Sequence, residues 1–547
     1  MYPLAAIPHL MQEVSMLTSE VKSFEYGPGI AETDTRAGRL RGMRRNGVYT
    51  FLGVKYADAG RFEKPRPVAP WSGVKEAIIH GPIAPSPVPF THPGSRRIVF
   101  MPNFWPSDEN CQYLNIWSPS LNPYAKKPVM FWLHGGGGAF GDNLDQDGEG
   151  LSKYGDVVVV TVTHRLNSLG LLDLSAYSEE YADSCNNSYN DLIAALKWVG
   201  ENIANFGGDS DNVTLFGHSG GGGKVLNLLQ MPPADGLYHK AIIMAGILPE
   251  TMLYPPRSYT RQLAANTLKL LGLEEKDFMR LKTMDYGTLC TASLQAMREA
   301  AAATGYRATW SQPVSEGFFK GFPLEVGIRR EMAKVPLLIG SVQGERNSDV
   351  RRWCTDPVII GSNKNTWDAG HTEKAMRIWF GEKYDAVREA FPRAYPEKKL
   401  QDSIFTDMGH RASILKVCNM RCEVEEHADT FLYYFNAEFP VNGGTVAWHG
   451  SELPFVFHSA TYCDPLWLPH GRTEQLEKEM CTTWATFART GNPNNPLIPH
   501  LPAYDPEHYG TLVWGDETTV RYDHDRALVD LLPQLTLPND ISGYGMG

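Results

Sequence analysis

Asn212-Val-Thr-Leu-Phe-Gly-His-Ser-Gly-Gly-Gly-Gly-Lys-Val-Leu-Asn-Leu-Leu-Gln230 is the stretch on which the reading of the chain turns. Val213-Thr-Leu-Phe216 is a short apolar run with two β-branched residues, the composition of a buried strand. Val225, Leu226, Leu228 and Leu229 fall close to helical spacing, and Pro232-Pro233 ends any helix soon after Gln230. Between strand and helix stands Gly217-His-Ser-Gly-Gly221, a G-x-S-x-G pentapeptide. Such a pentapeptide arises by chance in a chain with 51 glycines, and its place at a strand-to-helix turn is what gives it meaning. In so sharp a turn a Cβ on either flanking glycine would collide with neighbouring backbone. The sequence therefore predicts an elbow that holds Ser219 Oγ up at a sheet edge beside a helix N-terminus.

Upstream, the same pattern repeats. Pro128-Val-Met-Phe-Trp-Leu133 looks like a central strand, and Val157-Val-Val-Val-Thr-Val-Thr163 is a β-branched run of the kind buried on both faces of a parallel sheet. Asn190–Ile203 places Leu192, Ala195, Leu196, Val199 and Ile203 on one helical face before the elbow strand begins. Strand, helix, strand in this order predicts a doubly wound α/β sheet, with chemistry at the C-terminal strand ends.

One of those ends is His134-Gly135-Gly136-Gly137-Gly138. Four glycines there let backbone amides face a ligand closely. A phosphate cradle would need the Lys-Ser/Thr of a P-loop, or a G-x-G-x-x-G helix start with its acidic partner, and neither follows. An oxyanion hole needs only the amides, and that reading ranks first.

A serine hydroxyl needs an imidazole base and a carboxylate behind it, in the order Ser, acid, His for this architecture. Val335-Pro-Leu-Leu-Ile-Gly340 reads as a strand, and Glu345 lies just past its end; Asp349 follows four residues on and ranks behind it. Of the histidines beyond Glu345, His449 stands out, between Gly443-Gly444 and an apolar segment, only somewhat ahead of His458. A structural histidine or a solvated loop acid is the ordinary fate of any one of these residues.

Composition narrows the alternatives. The 547 residues are 42% hydrophobic, enough for a large core, and the net charge of −11 comes without long Lys/Arg runs, which speaks against nucleic acid as a partner. No run of 18 apolar residues suggests a membrane span. The start, Met-Tyr-Pro-Leu-Ala-Ala-Ile-Pro-His with Glu13 and no basic segment, does not read as a secretory signal. The eight cysteines form no dense framework, and Cys418 and Cys422, four apart in an apparent helix, lack a second pair at zinc-like spacing. Neither a metal nor a cofactor is expected. Residues 1–34 read as a lead-in and 35–547 as a single domain whose insertions, at about 58–110, 275–335 and 350–430, cap the site. Residues 58–110 are rich in Pro and aromatic residues, the composition of an ordered surface loop.

Several motifs in order then identify a relationship. Gly53-Val-Lys-Tyr-Ala57 with Arg61-Phe62, Glu109-Asn-Cys-Gln-Tyr-Leu-Asn115, Trp132-Leu-His-Gly-Gly-Gly137, Phe206-Gly-Gly-Asp209 through Gly221, Ile339-Gly340 through Glu345, Trp448-His-Gly-Ser-Glu-Leu-Pro454 and Trp484-Ala-Thr-Phe-Ala-Arg-Thr-Gly-Asn-Pro493 resemble the type-B carboxylesterase and cholinesterase family of α/β-hydrolases. The resemblance runs from about residue 35 to 515. It implies an α/β-hydrolase fold, and a serine esterase with Ser219 as nucleophile, His449 as base and Glu345 as the orienting acid. The amides of Gly136, Gly137 and Gly220 would form the oxyanion hole, and a small-molecule ester would be the substrate.

The departures bear on specificity. Many relatives carry Glu where His218 stands, so a carboxylate that favours cationic substrates is missing; His218 either contacts substrate or packs. Gly138 replaces a usual aromatic, which is expected to open space beside the hole. Ala245 stands where the family has serine, and Lys55 replaces a common proline. Cys111 lacks the upstream partner with which secreted relatives form a disulfide, which points to a reducing, cytoplasmic setting and away from a cholinesterase. Amide, thioester or lactone hydrolysis would use the same machinery. A catalytically dead binding or adhesion protein is the reading from another class, and the intact triad and glycine positions weigh against it.

Overall fold

The computed structural model describes residues 23–86, 105–249, 251–346, 350–351, 353–463 and 466–535. Among these, twelve strands form one sheet: β1 Phe24–Glu25, β2 Met43–Arg45, β3 Val48–Lys55, β4 Tyr113–Ser118, β5 Lys127–Leu133, β6 Val158–Val162, β7 Gly208–His218, β8 Lys240–Met244, β9 Leu337–Val342, β10 Thr430–Phe435, β11 Gly510–Trp514 and β12 Thr518–Tyr522. Their spatial order is β1-β2-β3-β4-β6-β5-β7-β8-β9-β10-β11-β12. The block from β6 to β11 is parallel throughout, and the pairs outside it are antiparallel. The helices that matter to the site are α1 Asn187–Asn202, α2 Gly220–Leu229, α3 Arg257–Leu270, α4 Tyr286–Thr304, α5 Gly409–Cys422 and α6 Arg472–Thr490.

Side-chain alternation along each strand divides the core into two faces. In β6, Val158, Val160 and Val162 join Leu192 and Val199 of α1, Val225 and Leu228 of α2 and Val417 of α5. Val159 points the other way, into a core with Trp132, Phe216, Met480 and Trp484 of α6. Every residue of β6 is buried, as its unbroken β-branched run requires. Each such Val or Leu stabilises the fold by roughly 1.5–3 kcal/mol.

Register brings the strand ends level. Leu133 pairs with Gly217, His218 with Met244, and Met244 with Gly340. The loops after β5, β7 and β9 therefore leave the sheet at one edge, side by side.

The insertions supply two further cores. α3 and α4 pack with Leu171, Leu172 and Trp310, and Trp367, Met376 and Phe391 pack with Tyr434 of β10. Chain pairing also begins before residue 35: β1 joins β2, and Glu32–Asp34 pairs with Arg39–Arg41. Such short strands carry almost no hydrophobic pattern, and both β1 residues are exposed. Residues 1–22 of the expected lead-in and 87–104 of the Pro-rich insertion lie outside the described residues.

Candidate active site

At the end of β7 the chain turns through Ser219, with φ +58° and ψ −126°, straight into α2. A residue with a Cβ adopts that conformation only when its surroundings enforce it. Here Ser219 N–H donates to Met244 O at 2.8 Å, and the Ser219 carbonyl accepts from Gly223 N–H at 3.0 Å. The glycines make room: a Cβ on Gly221 would stand 1.9 Å from Leu133 O, and one on Gly217 would stand 2.5 Å from the Gly221 carbonyl carbon. Elbow, β5 and α2 are thus packed backbone to backbone.

The glycine run after β5 lies against this turn. Gly136 and Gly137 take positive φ, +85° and +61°. A Cβ on Gly220 would come 2.1 Å from Gly137 N, and one on Gly135 would lie 3.6 Å from Ser219 Cβ. The three glycines expected to supply an oxyanion hole therefore sit in one place. Gly138 corrects an expectation: the space beside it is filled, since a Cβ there would meet Trp310 O at 2.2 Å and Leu171 Cδ1 at 3.1 Å. The absent side chain admits the backbone of the segment after α4, which no local pattern could announce.

Glu345 and His449 are brought together by the backbone of the residues just before them. Gly344 bridges Trp448 in parallel fashion, and Gly344 N–H donates to Ala447 O at 2.7 Å. Glu345 is fully buried; its Oε1 accepts Val342 N–H at 2.8 Å, and its Oε2 is hydrogen-bonded to His449 Nδ1. The His449 side chain is 13% exposed, so one end of the pair reaches solvent. The ring of His218, next to Ser219 in the chain, packs on His449 with 4.3 Å between centroids.

The surroundings of this pair escaped the sequence reading. Glu452 is fully buried, with Oε1 3.7 Å from His218 Nε2. Burial, and then the Glu345 carboxylate, hold Glu452 well above the usual carboxylate range. Burial likewise raises Glu345, against the opposing charges of His410 and His218. On the far side, His410 stands 6.3 Å from the His449 ring and 3.4 Å from Asp407. Glu452 lies three residues past His449 and was visible as a letter; its return to face His218 was not.

The rival candidates go elsewhere. His458 Nδ1 is 3.3 Å from Glu477 Oε2, its ring stacks on Tyr154 at 3.6 Å, and burial pushes it down to about 4. Asp349 lies outside the described residues. Cys111 is a buried thiol, and burial raises its pKa far above the ordinary value. Among the described residues, His218, Glu345 and His449 form a group of possible metal ligands, with donor atoms within 4.8 Å of one another. Two of the three are spent on a mutual hydrogen bond, so the arrangement is suited to moving a proton rather than coordinating an ion. No helix among the described residues is long and apolar enough to cross a membrane.

A mostly parallel sheet with a strained serine at a strand-to-helix elbow, a glycine-rich amide loop beside it and a His–Glu pair from later strand ends defines an α/β-hydrolase. Comparison with known proteins makes the assignment specific: the model of the carboxylesterase family matches residues 30–528, and the chain belongs to that family. It is 30% identical over 508 residues to the para-nitrobenzyl esterase of Bacillus subtilis (strain 168), covering 89% of this chain and 96% of that protein. Among solved structures, an esterase from Clostridium hathewayi, described as able to hydrolyse aliphatic aromatic polyesters, superposes with a TM-score of 0.86 at 38% identity, covering 94% of this chain and 99% of that one. A Geobacillus stearothermophilus carboxylesterase gives 0.67 at 30% identity, over 91% and 99% of the two chains. The protein is a carboxylic ester hydrolase.

Proposed function

We propose that Ser219 is the nucleophile, His449 the general base and then acid, and Glu345 the carboxylate that orients it, with the amides of Gly136, Gly137 and Gly220 receiving the oxyanion. The observation that carries this reading is the Glu345–His449 Nδ1 hydrogen bond beside the strained elbow serine. With Nδ1 committed to Glu345, Nε2 is the nitrogen that takes the proton. Ser219 Oγ attacks the ester carbonyl as Nε2 accepts its proton, and the alkoxide leaves with that proton returned. Water then attacks the acyl-enzyme by the same route and the carboxylic acid departs. General base catalysis of this kind contributes about 10²–10⁴-fold, and each amide donor to the oxyanion about 3 kcal/mol.

The substrates are small to medium neutral or acidic esters. An imidazole at position 218 offers no fixed negative charge to a cationic alcohol, and the Trp310 carbonyl against Gly138 narrows the space near the hole, which favours modest acyl groups. Residues 35–547 form one domain, to whose sheet β1 adds an edge. A cytoplasmic setting fits Cys111 as a buried free thiol.

The test is hydrolysis of p-nitrophenyl esters, acetate through decanoate, by the wild type and by Ser219→Ala, with organophosphate labelling. Loss of both turnover and label in the variant is expected; turnover that survives the substitution refutes the serine mechanism. A choline ester hydrolysed as fast as its neutral isostere refutes the substrate class. Short aliphatic aromatic diesters belong in the panel, given what the Clostridium hathewayi enzyme is described as hydrolysing. An amide or lactone turned over faster than every ester would move the reading to that chemistry.

A further inference from the structure

Lys224 stands on α2 five residues after Ser219 and is 4% exposed. An ammonium so placed loses most of its hydration and persists only with compensating contacts. Its Nζ donates to the carbonyl oxygen of His134 at 2.9 Å and lies 3.4 Å from His134 Nδ1. His134 is where β5 passes into Gly135-Gly136-Gly137. Lys224 therefore joins the helix that begins at Gly220 to the strand end that feeds the other two glycines.

The groups facing it come from every neighbouring element. The residue just after β5 is His134, and the segment after β6 presents His164, whose ring stacks on His134 at 5.0 Å. Burial and then the Lys224 charge hold both imidazoles well below their ordinary value, so both are neutral. Beyond His164 lies Arg165, which pairs with Asp191. The loop after the glycine run presents half-buried Asp145, with Asp142 behind it. Burial pushes Lys224 down to about 7, and the Asp145 charge works the other way.

We propose that Lys224 is a positioning residue for the oxyanion hole: it fixes the His134–Gly135 peptide, and with it the amides of Gly136 and Gly137, against α2, and its ammonium sets positive charge beneath them. A positive charge held in place behind donating amides favours the oxyanion as it forms and requires no reorganisation at that moment. The role rests on the oxyanion-hole reading given above.

Two substitutions separate its parts. Lys224→Met removes both the hydrogen bond and the charge, whereas Lys224→Gln keeps a donor for His134 O without the charge. kcat and KM for p-nitrophenyl butyrate are measured from about pH 5.5 to 9.5, with thermal midpoints and organophosphate stoichiometry as controls. Lys224→Met should lower kcat on the order of tenfold while KM moves less than about threefold, with Lys224→Gln between it and the wild type. The wild type should show a falling limb in kcat as Lys224 loses its proton above pH about 7, and both variants should lack it. A kcat for Lys224→Met within about twofold of wild type, or the same falling limb in both variants, overturns the proposal. If Lys224→Met fails to fold, Lys224→Gln still decides the charge through the pH profile. Because Ser219→Ala tests the site itself, full labelling of a variant with unchanged kcat sinks only the role of Lys224.

Discussion

Replacing Glu345 by Gln preserves the side chain's size and changes one acceptor into a donor. Oε1 accepts Val342 N–H at 2.8 Å, a demand that only the amide oxygen meets. The amide nitrogen is thereby driven to the Oε2 position, facing His449 Nδ1. A donor there selects the imidazole tautomer with its proton on Nε2, and an Nε2–H cannot accept the Ser219 proton as the proposed mechanism requires. The corresponding change in a serine protease triad lowers kcat by about 10⁴-fold, which is about 5.5 kcal/mol at about 1.36 kcal/mol per tenfold. For Glu345→Gln we expect kcat on a p-nitrophenyl ester to fall about 10³–10⁴-fold, with KM moved less than about threefold. Stability provides the control. Burial raises the Glu345 carboxyl, so in the fold its ionised form costs stability at pH values above its unfolded pKa, and a neutral Gln removes that cost. The thermal midpoint of the variant should match or exceed the wild type, so lost activity cannot be put down to unfolding. A kcat within about tenfold of wild type, at an unchanged midpoint, would refute the reasoning.

Gly221→Ala places a Cβ 1.9 Å from Leu133 O, backbone that cannot step aside, and should cost about 3 kcal/mol or more by urea unfolding; a loss under about 1 kcal/mol would contradict the packing described. Arg165 and Asp191 form a fully buried ion pair with contacts of 2.9 and 2.7 Å. Arg165→Met should therefore destabilise by about 3–5 kcal/mol, and Arg165→Met with Asp191→Leu should recover most of it; a double variant no more stable than the single one argues against an uncompensated charge. Burial works to raise the Asp407 carboxyl, but His410, whose Nδ1 is 3.4 Å away, and Arg346 hold it down at about 2. A depressed carboxylate stabilises the fold above its unfolded pKa and loses that contribution as pH falls through the folded one, so about 2 kcal/mol should disappear between about pH 4 and 2. Asp407→Asn should flatten this part of the stability-versus-pH curve, and an unchanged slope would remove Asp407 from the account.

What could be read along the chain was what short-range physics writes there. Val213–Phe216 and Val157–Thr163 carry the composition of buried strands, and both lie within or overlap β7 and β6. The expected helix at Asn190–Ile203 runs in the structure as Asn187–Asn202, since apolar spacing marks a helix more sharply than its ends. The elbow and the glycine run were legible because a sharp turn and a close approach both demand glycine at fixed offsets. His449 and His458 were nearly equal by spacing, and the structure separates them by their carboxylates, Glu345 for one and Glu477 for the other.

The sequence by itself determined the parallel α/β core, the strained serine between Gly217 and Gly221, and the amide loop at His134–Gly138, because each follows from residues within about one turn or strand of one another. Only the tertiary structure decided that Glu345 reaches a histidine 104 residues away. It likewise decided that Trp310 O fills the space at Gly138, that Glu452 turns back to His218, and that Lys224 reaches the His134 carbonyl. Those contacts depend on the register of parallel strands and on insertions whose packing is settled by long-range burial, and neither leaves a period in the chain.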